Sequence, residues 1–283
     1  MANTTTEILS VNGVVLNTYA KNIESLTGRL RTPGKRTSNV VVPGRHGSLR
    51  TGDKKFDENV IALPMWVVGA DDDGKIPSGS TDRREFFKRM DELTALFMGS
   101  SGPLEVRHTL PDGSIRRCFA DVLDAIDFTT IGANPDAKFG VSLVVHGAFW
   151  EDLNSITSSR TANGSSATFS EFAGATAPME DLILAFTGPW TNPRITFADG
   201  SWLAYDEAIT SSQGIRINSS DWTLAGVGGL VPSLQKLRYS GSSSRWASVP
   251  PAVTGGPVIQ LAGTSRTTAT RLALEGRRKY LVG

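Results

Sequence analysis

Cysteine is nearly absent from this chain, with Cys118 alone among 283 residues. One cysteine forms no intrachain disulfide, so the fold does not depend on an oxidising compartment. Histidine is almost as scarce, with three residues, His46, His108 and His146. None stands at metal-ligand spacing from another histidine or from Cys118, and H-E-x-x-H is missing, so the sequence offers no metal site. Also missing is G-x-S-x-G, the elbow that exposes a nucleophilic serine. Net charge is formally +1, which generates no global field toward nucleic acid or an anionic membrane. Residues 1–150 hold 18 basic and 18 acidic side chains and residues 151–283 hold 11 and 10, so neither half is polarised. No apolar run approaches the ~20 residues that span a bilayer. Where a secretory leader would be basic and then apolar, Asn3, Thr4, Thr5 and Thr6 are polar. The expectation is a protein made and assembled in a cytoplasm.

Turn-formers are plentiful. With 29 glycines, 14 prolines and 39% hydrophobic residues, the composition suits a β-rich protein with modest cores and generous loops. The length is comfortable for two domains. Ile8–Val11, Asn12-Gly13 and Val14–Leu16 read as a hairpin, because Asn-Gly supplies two positive-φ positions between apolar runs. Residues 29–39 read as an exposed basic loop. Val40–Val42 then enters a strand, the turn Pro43–Gly47 follows, and Val60 to Val68 forms another strand. One helix interrupts the pattern. Asp82 is its expected N-cap, with Glu85 completing a capping-box-like start. Phe86, Met90, Leu93 and Phe97 recur at helical spacing, Phe87 and Leu96 widen the stripe, and Gly99 ends it. Such a stripe should lie on a sheet.

Leu104–Leu110, the turn Pro111–Ser114 and a long strand through Phe128 come next. Cys118, Ala120, Val122, Ile126 and Phe128 alternate onto one face, which makes Cys118 a buried small hydrophobe rather than a reactive thiol. Asp124 breaks that face and marks a candidate bulge. Phe139, Val141, Leu143, Val145 and Phe149 share one side of a further strand.

From Asn154 to Ala177 the chain turns rich in Ser, Thr, Ala and Gly, as at a domain junction followed by weak edge strands. Beyond it come eight short strands: 182–186, 194–197, 202–205, 215–217, 222–224, 237–239, 258–262 and 267–274. No helix-length periodic segment lies between them, and turns such as Asp199-Gly200 punctuate them, which argues for a β-sandwich. The boundary falls near 150, giving domains over 1–150 and 151–283.

Several segments invite a chemical reading. Gly69–Lys75 has the glycine and lysine spacing of a P-loop, but Ile76 replaces the magnesium-binding hydroxyl, and Asp71, Asp72 and Asp73 would repel phosphate. It reads as an acidic surface turn, without the spacing or closing glutamate of an EF-hand. Asp206-Glu207 and Glu180-Asp181 are adjacent acids near strand ends, although carboxylate pairs distant in the chain are invisible to sequence. Trp190, Trp202, Tyr205, Trp222 and Trp246 either stack on sugars or fill a sandwich core. Candidate sugar-binding residues are Trp202, Tyr205 and Trp222. Lys21 to Lys55 carries nine basic residues against two acidic ones, Glu24 and Asp53. It lacks the interleaved aromatics that stack on bases, so it reads as a solvated loop meeting a neighbouring subunit rather than nucleic acid.

Three segments together resemble the distal tail protein family of long, non-contractile-tailed phages. They are Val40–Gly47 followed by Asn59–Leu63, the region 187–224, and Arg245-Trp246 with Pro250-Pro251, Gly255–Pro257 and Val258–Leu261. The third departs from the family pattern through the insertion Pro250–Gly256. The resemblance implies a mainly β protein whose N-terminal split-barrel-like domain forms a ring, typically hexameric, with a C-terminal sandwich similar to galectin-like or carbohydrate-module folds. It further implies a structural, non-enzymatic subunit without cofactor, located at the virion tail tip. Its partners would be its own copies, the tail tube protein, a tail-tip hub or tail-associated protein, and the tape measure protein. Arg29, Arg31, Lys35, Arg36 and Arg45 are the expected intersubunit contacts. The rival reading is a carbohydrate-binding accessory tail protein.

Overall fold

The structure, a computed structural model, describes residues 7–24, 32–35, 39–41, 48–50, 55–130, 134–240 and 248–283. The chain divides into two compact units, Met1–Trp150 with Leu281–Gly283, and Glu151–Tyr280.

The first unit begins with β1 (Ile8–Val11), β2 (Val14–Val15), β3 (Lys21–Ile23), β4 (Asn39–Val41), β5 (Ser48–Arg50) and β6 (Asn59–Val68). Helix α1 (Asp82–Met98) follows, then β7 (Leu104–Thr109), β8 (Ile115–Val122), β9 (Thr129–Thr130) and β10 (Asp136–Val145). Antiparallel pairing gives the order β2-β1-β7-β8-β10-β6-β3, with β9 beside β10 and β4 paired to β5 alone. Asn12 and Gly13 take φ of 48° and 81°, the two positive values that the Asn-Gly hairpin needs.

The strand order forces curvature. β2 and β3 lie at opposite ends, yet only Leu16–Ala20 separate them in the chain. A flat sheet of seven strands places its outer strands about 29 Å apart, whereas five linking residues reach about 20 Å. The sheet therefore curls into a split barrel, and Leu16 and Ala20 are buried at the seam. Helix α1 sits there: Arg89, Glu92, Leu93 and Leu96 line a small cavity together with Val14 of β2 and Lys21 of β3. Alternation fills the interior with Ile61, Leu63, Met65 and Val67 from β6, Phe139, Val141, Leu143 and Val145 from β10, and Phe86, Leu93 and Phe97 from the helix. Cys118 is buried as a thiol, outside any disulfide.

Details of the helix differ from the sequence expectation. Thr81, not Asp82, is the N-cap, its hydroxyl accepting from the Arg84 amide at 3.3 Å. That amide lies three residues beyond Thr81, the reach of a cap side chain, so Asp82 becomes the first helical residue. Glu85 forms no capping box; it is buried and accepts from the Ser80 hydroxyl at 2.6 Å. Phe87 lies outside the buried stripe, 52% exposed, with the Arg83 guanidinium 6.0 Å from its ring centre. The expected strand through Phe128 ends at Val122. Between the pairs Val122↔Leu143 and Thr129↔Lys138, six residues (123–128) face four (139–142), an excursion of two extra residues that includes Asp124. Phe128 still reaches the Phe139 ring, at 4.7 Å.

β11 (Trp150–Asp152) carries the chain from the first unit into the second. Trp150 is fully buried in the first unit. Gly283 lies so close to its ring that a β-carbon there would stand 2.3 Å from Cε2. The Arg116 guanidinium donates to the Val282 carbonyl at 2.8 Å. These contacts hold the last three residues to the first unit.

The second unit is a sandwich of two sheets. Its strands are β12 (Ile156–Thr161), β13 (Ser166–Thr168), β14 (Ile183–Thr187), β15 (Trp190–Thr196), β16 (Trp202–Tyr205) and β17 (Ala208–Ile209). They continue with β18 (Gly214–Asn218), β19 (Thr223–Val227), β20 (Leu237–Tyr239), β21 (Val258–Thr264), β22 (Arg271–Gly276) and β23 (Lys279–Tyr280). One sheet runs β12-β22-β14-β18-β19, the other β13-β21-β15-β16-β20 with β17 on β15. Leu184 and Phe186 of β14, Leu272 and Leu274 of β22, and Ile215 and Ile217 of β18 face Trp190, Ile195, Leu203 and Ile259 of the opposite sheet in one buried cluster. A bulge between Thr191 and Arg194 absorbs Pro193, which has no amide hydrogen to give the ladder.

Candidate assembly surfaces

Of the five expected intersubunit residues, the structure describes Lys35. Arg29, Arg31, Arg36 and Arg45 lie outside the described residues, as does the turn Pro43–Gly47. Lys35 forms an isolated antiparallel bridge with Phe56, and its ammonium stands 5.4 Å from that ring. Phe56 in turn meets Phe149 edge-on at 5.1 Å. The exposed Lys35 is thus anchored at the β6 approach, its ammonium over the ring of an aromatic pair.

Central strands of the split barrel are cross-linked on their exposed side. His146, just past β10, contacts Glu58 through Nδ1 at 3.2 Å and Asp121 through Nε2 at 3.0 Å. Hydrogen bonds to Glu58 and then Asp121 raise the imidazole pKa above its ordinary value. Glu105 of β7 is held below the usual carboxylate range by Arg107 first, against a desolvation effect, and by Arg117. Near the helix, Asp72 accepts from Lys21 at 2.9 Å and Thr18 at 2.8 Å. Burial opposes ionisation there, but these two hydrogen bonds outweigh it and lower the pKa. The acidic turn Asp71–Asp73 is therefore a brace for β3, with no phosphate-binding geometry. Among the described residues, no group of three or more His, Cys, Asp or Glu converges to hold a metal ion. No described helix is long and apolar enough to cross a membrane.

The structure separates the candidate sugar-binding aromatics. Tyr205 is buried, its hydroxyl donating to Glu207 at 3.0 Å and accepting from the Ser233 amide at 3.2 Å. It offers no ring face to a sugar, because β16 turns it into the core. Trp202 is half-buried, with the Arg194 guanidinium 4.4 Å from its ring centre. Trp222 stands on the other sheet, 45% exposed, in a left-handed turn at φ 58° that starts β19. Trp190 is a core residue donating to the Ala262 carbonyl at 2.9 Å. Trp246 lies outside the described residues. Sequence reasoning named Trp222 but not the stretch that follows it. Its signal was the absence of any charged residue from Trp222 to Gln235.

The sandwich edges differ in protection. Arg160 of β12 donates to the Thr168 carbonyl of β13 at 2.9 Å and pairs with Glu171, tying two edges together. That pairing holds the Glu171 carboxyl down to about 2. Beside β20, Arg238 pairs with Asp206 at 3.1 Å and Lys236 with Glu207 at 2.6 Å. β19 closes its sheet with no described strand beyond it and no charge of its own.

No family model and no curated protein matches the sequence. Solved structures do. The chain is similar to the SPP1 Dit protein (gp 19.1), described as a paradigm of the hub adsorption apparatus in phages infecting Gram-positive bacteria. The TM-score is 0.60 at 11% identity, covering 97% of this chain and 99% of that one. A chain of the phage p2 baseplate in its activated, strontium-bound conformation matches with a TM-score of 0.41 at 8% identity, covering 98% of this chain and 100% of that one. The SPP1 likeness embraces both units from end to end, so the fold of this chain is that of the phage distal tail protein.

Proposed function

We propose that the protein is a structural distal tail protein of a long-tailed phage. In this reading it forms a ring, hexameric in copy number, that joins the tail tube to the tail tip or baseplate. The observation that carries the reading is the likeness to SPP1 Dit over nearly the whole of both chains. A match confined to one sandwich would fit many unrelated activities. The domain of residues 1–150 forms the ring and that of 151–283 decorates its outside. Its partners are its own copies, the tail tube protein, a tail-tip hub protein and the tape measure protein, with the virion tail tip as location and the host cytoplasm as the place of assembly. The role needs no catalytic group; it needs surfaces that pair and close.

Arg29, Arg31, Lys35, Arg36 and Arg45 serve subunit contacts in this account. Electron microscopy of the purified protein should reveal closed rings with a central opening. Reversing the charge of Arg29, Arg31, Lys35 and Arg36 together should impair ring assembly or docking to the tube. Rings and reconstituted tails unaffected by the quadruple reversal would remove these residues from the interface.

A second reading, sugar binding by the sandwich, is favoured by the exposed Trp222 indole. Glycan-array binding lost in Trp222→Ala, with the fold retained, is the result it requires.

A further inference from the structure

We infer that the excursion 123–128, between β8 and β9, is the surface that receives the basic stretch Arg29–Arg36 of an adjoining copy. The inference rests on the ring reading and supplies the missing half of its subunit contact. It begins with how charge is laid out along the chain. From Cys118 to Ala137, twenty residues, there are four acids, Asp121, Asp124, Asp127 and Asp136, and no base. Lys21 to Lys55 holds nine bases against two acids. Neither block shows in the formal net charge of +1.

Strand pairing brings the acidic block to the surface. The excursion has two residues more than the ladder with β10 can pair. Asp121, Leu123, Asp124, Ala125 and Asp127 are exposed, Leu123 at 54%. Phe119, two residues before Asp121 and so on the same face of β8, is 44% exposed. Among the described residues, neither Asp124 nor Asp127 has an ion pair. The bases that bound the block are engaged elsewhere, Arg117 with Glu105 at 3.1 Å and Lys138 with Glu24. The surface is therefore acidic and apolar together. A segment that carries bases around an apolar residue complements it, and Arg29-Leu30-Arg31 is such a segment.

Sheet order points to a second copy as the occupant. The excursion lies on the β8–β9 side of β10. The described ends of the basic stretch lie on the β6 side. There the Glu24 amide donates to the Pro64 carbonyl at 2.8 Å, and Lys35 bridges to Phe56. With β10 between them, the two sides stand two strand spacings apart, about 10 Å. Complementary surfaces on opposite sides of one sheet suit a heterologous contact, because each copy offers its basic side to one neighbour and its acidic side to the other. Repeated head to tail, that contact closes a ring. Opposite charge at each boundary also fixes the register and disfavours a reversed copy.

The test mixes two variants of the full chain and reads particle mass. One reverses the acids, Asp124→Lys with Asp127→Lys; Asp121 stays native because His146 contacts it. The other reverses the bases, Arg29→Glu, Arg31→Glu, Lys35→Glu and Arg36→Glu. Each variant alone should lose the ring, since like charges then meet at every boundary. An equimolar mixture should regain it, with the variants alternating around an even-numbered ring. Native stretch then meets native excursion at one boundary, and reversed stretch meets reversed excursion at the next. A contact made within one chain gains nothing from mixing. Circular dichroism and melting matched to the wild type check that each variant folds. Asp124→Asn with Asp127→Asn keeps the shape without the charge; it should raise the concentration at which rings form, and it serves if the lysine variant does not fold. Rings from the acid-reversed variant alone, or a mixture that stays dissociated, would overturn the inference and leave the ring reading standing. A wild type that never forms rings would end both.

Discussion

The two units meet the same hazard, the open ends of a β-sheet, in different ways. In the first, the sheet curls until β2 and β3 come within reach of one another, and α1 lies over the seam between them. In the second, the sheets stay separate and their ends are treated one at a time, three with charge or a bridging arginine and β19 with neither. Curvature removes an edge by geometry, at the cost of needing a helix of the right shape in one place. A sandwich keeps its edges, so each one is available for a partner unless a side chain forbids it. The difference locates stability in the packing of helix and barrel for one unit and in the inter-sheet core for the other.

The sharpest way to break the sandwich is Trp190→Ala. The indole is fully buried and packs edge-on against Phe186 at 5.4 Å, so denaturant unfolding should lose about 3–5 kcal/mol. Gly69→Ala attacks the barrel where β6 approaches the helix. Its β-carbon would stand 2.0 Å from the Asp82 carbonyl oxygen, backbone that cannot swing aside. A loss of about 2 kcal/mol is expected, as for an overpacked core. The helix cap comes next. Thr81→Ala should cost about 1 kcal/mol, and Asp82→Ala only a few tenths, because the hydroxyl of Thr81 serves the orphan amide. A larger loss from Asp82→Ala would reverse the assignment of the cap.

The smallest effect is a pH dependence at the Arg160–Glu171 tie between β12 and the segment after β13. Glu171 titrates at about 2 rather than near 4.5, chiefly through its hydrogen bonds from Arg160. A depressed carboxylate stabilises the fold fully above its ordinary value and loses that contribution as pH falls from 4.5 to about 2. Glu171→Gln should therefore flatten the acid limb of stability over that window, lying slightly below the wild type at neutral pH and meeting it near pH 2, and the difference is small because solvent screens the pair.

Local physics explains which parts of the fold were legible in the sequence. Asn12-Gly13 fixed the first hairpin because the two residues take the left-handed φ that the turn demands. The helix stripe was legible through Phe86, Leu93 and Phe97, but Phe87 was not separable from it by spacing alone, since only packing decides which side of a stripe is covered. The run to Phe128 read as one strand because alternation persists through a bulge; pairing with β10, which is long-range, ends it at Val122. Tyr205 and Trp222 looked alike as aromatics in a sandwich. One is in the core and the other is exposed, a distinction set by which face of the strand meets the opposite sheet. The lack of charge at β19 is written in the sequence, but only the strand order, with β19 last in its sheet among the described residues, shows that it falls on an edge.

The most direct measurement of the central reading is the particle mass and outline of the purified full chain, by mass photometry paired with negative-stain electron microscopy. Closed rings with a central opening, six copies to each ring, are the predicted result. Single copies at every concentration, unchanged when tail tube and tail-tip proteins are added, would contradict it.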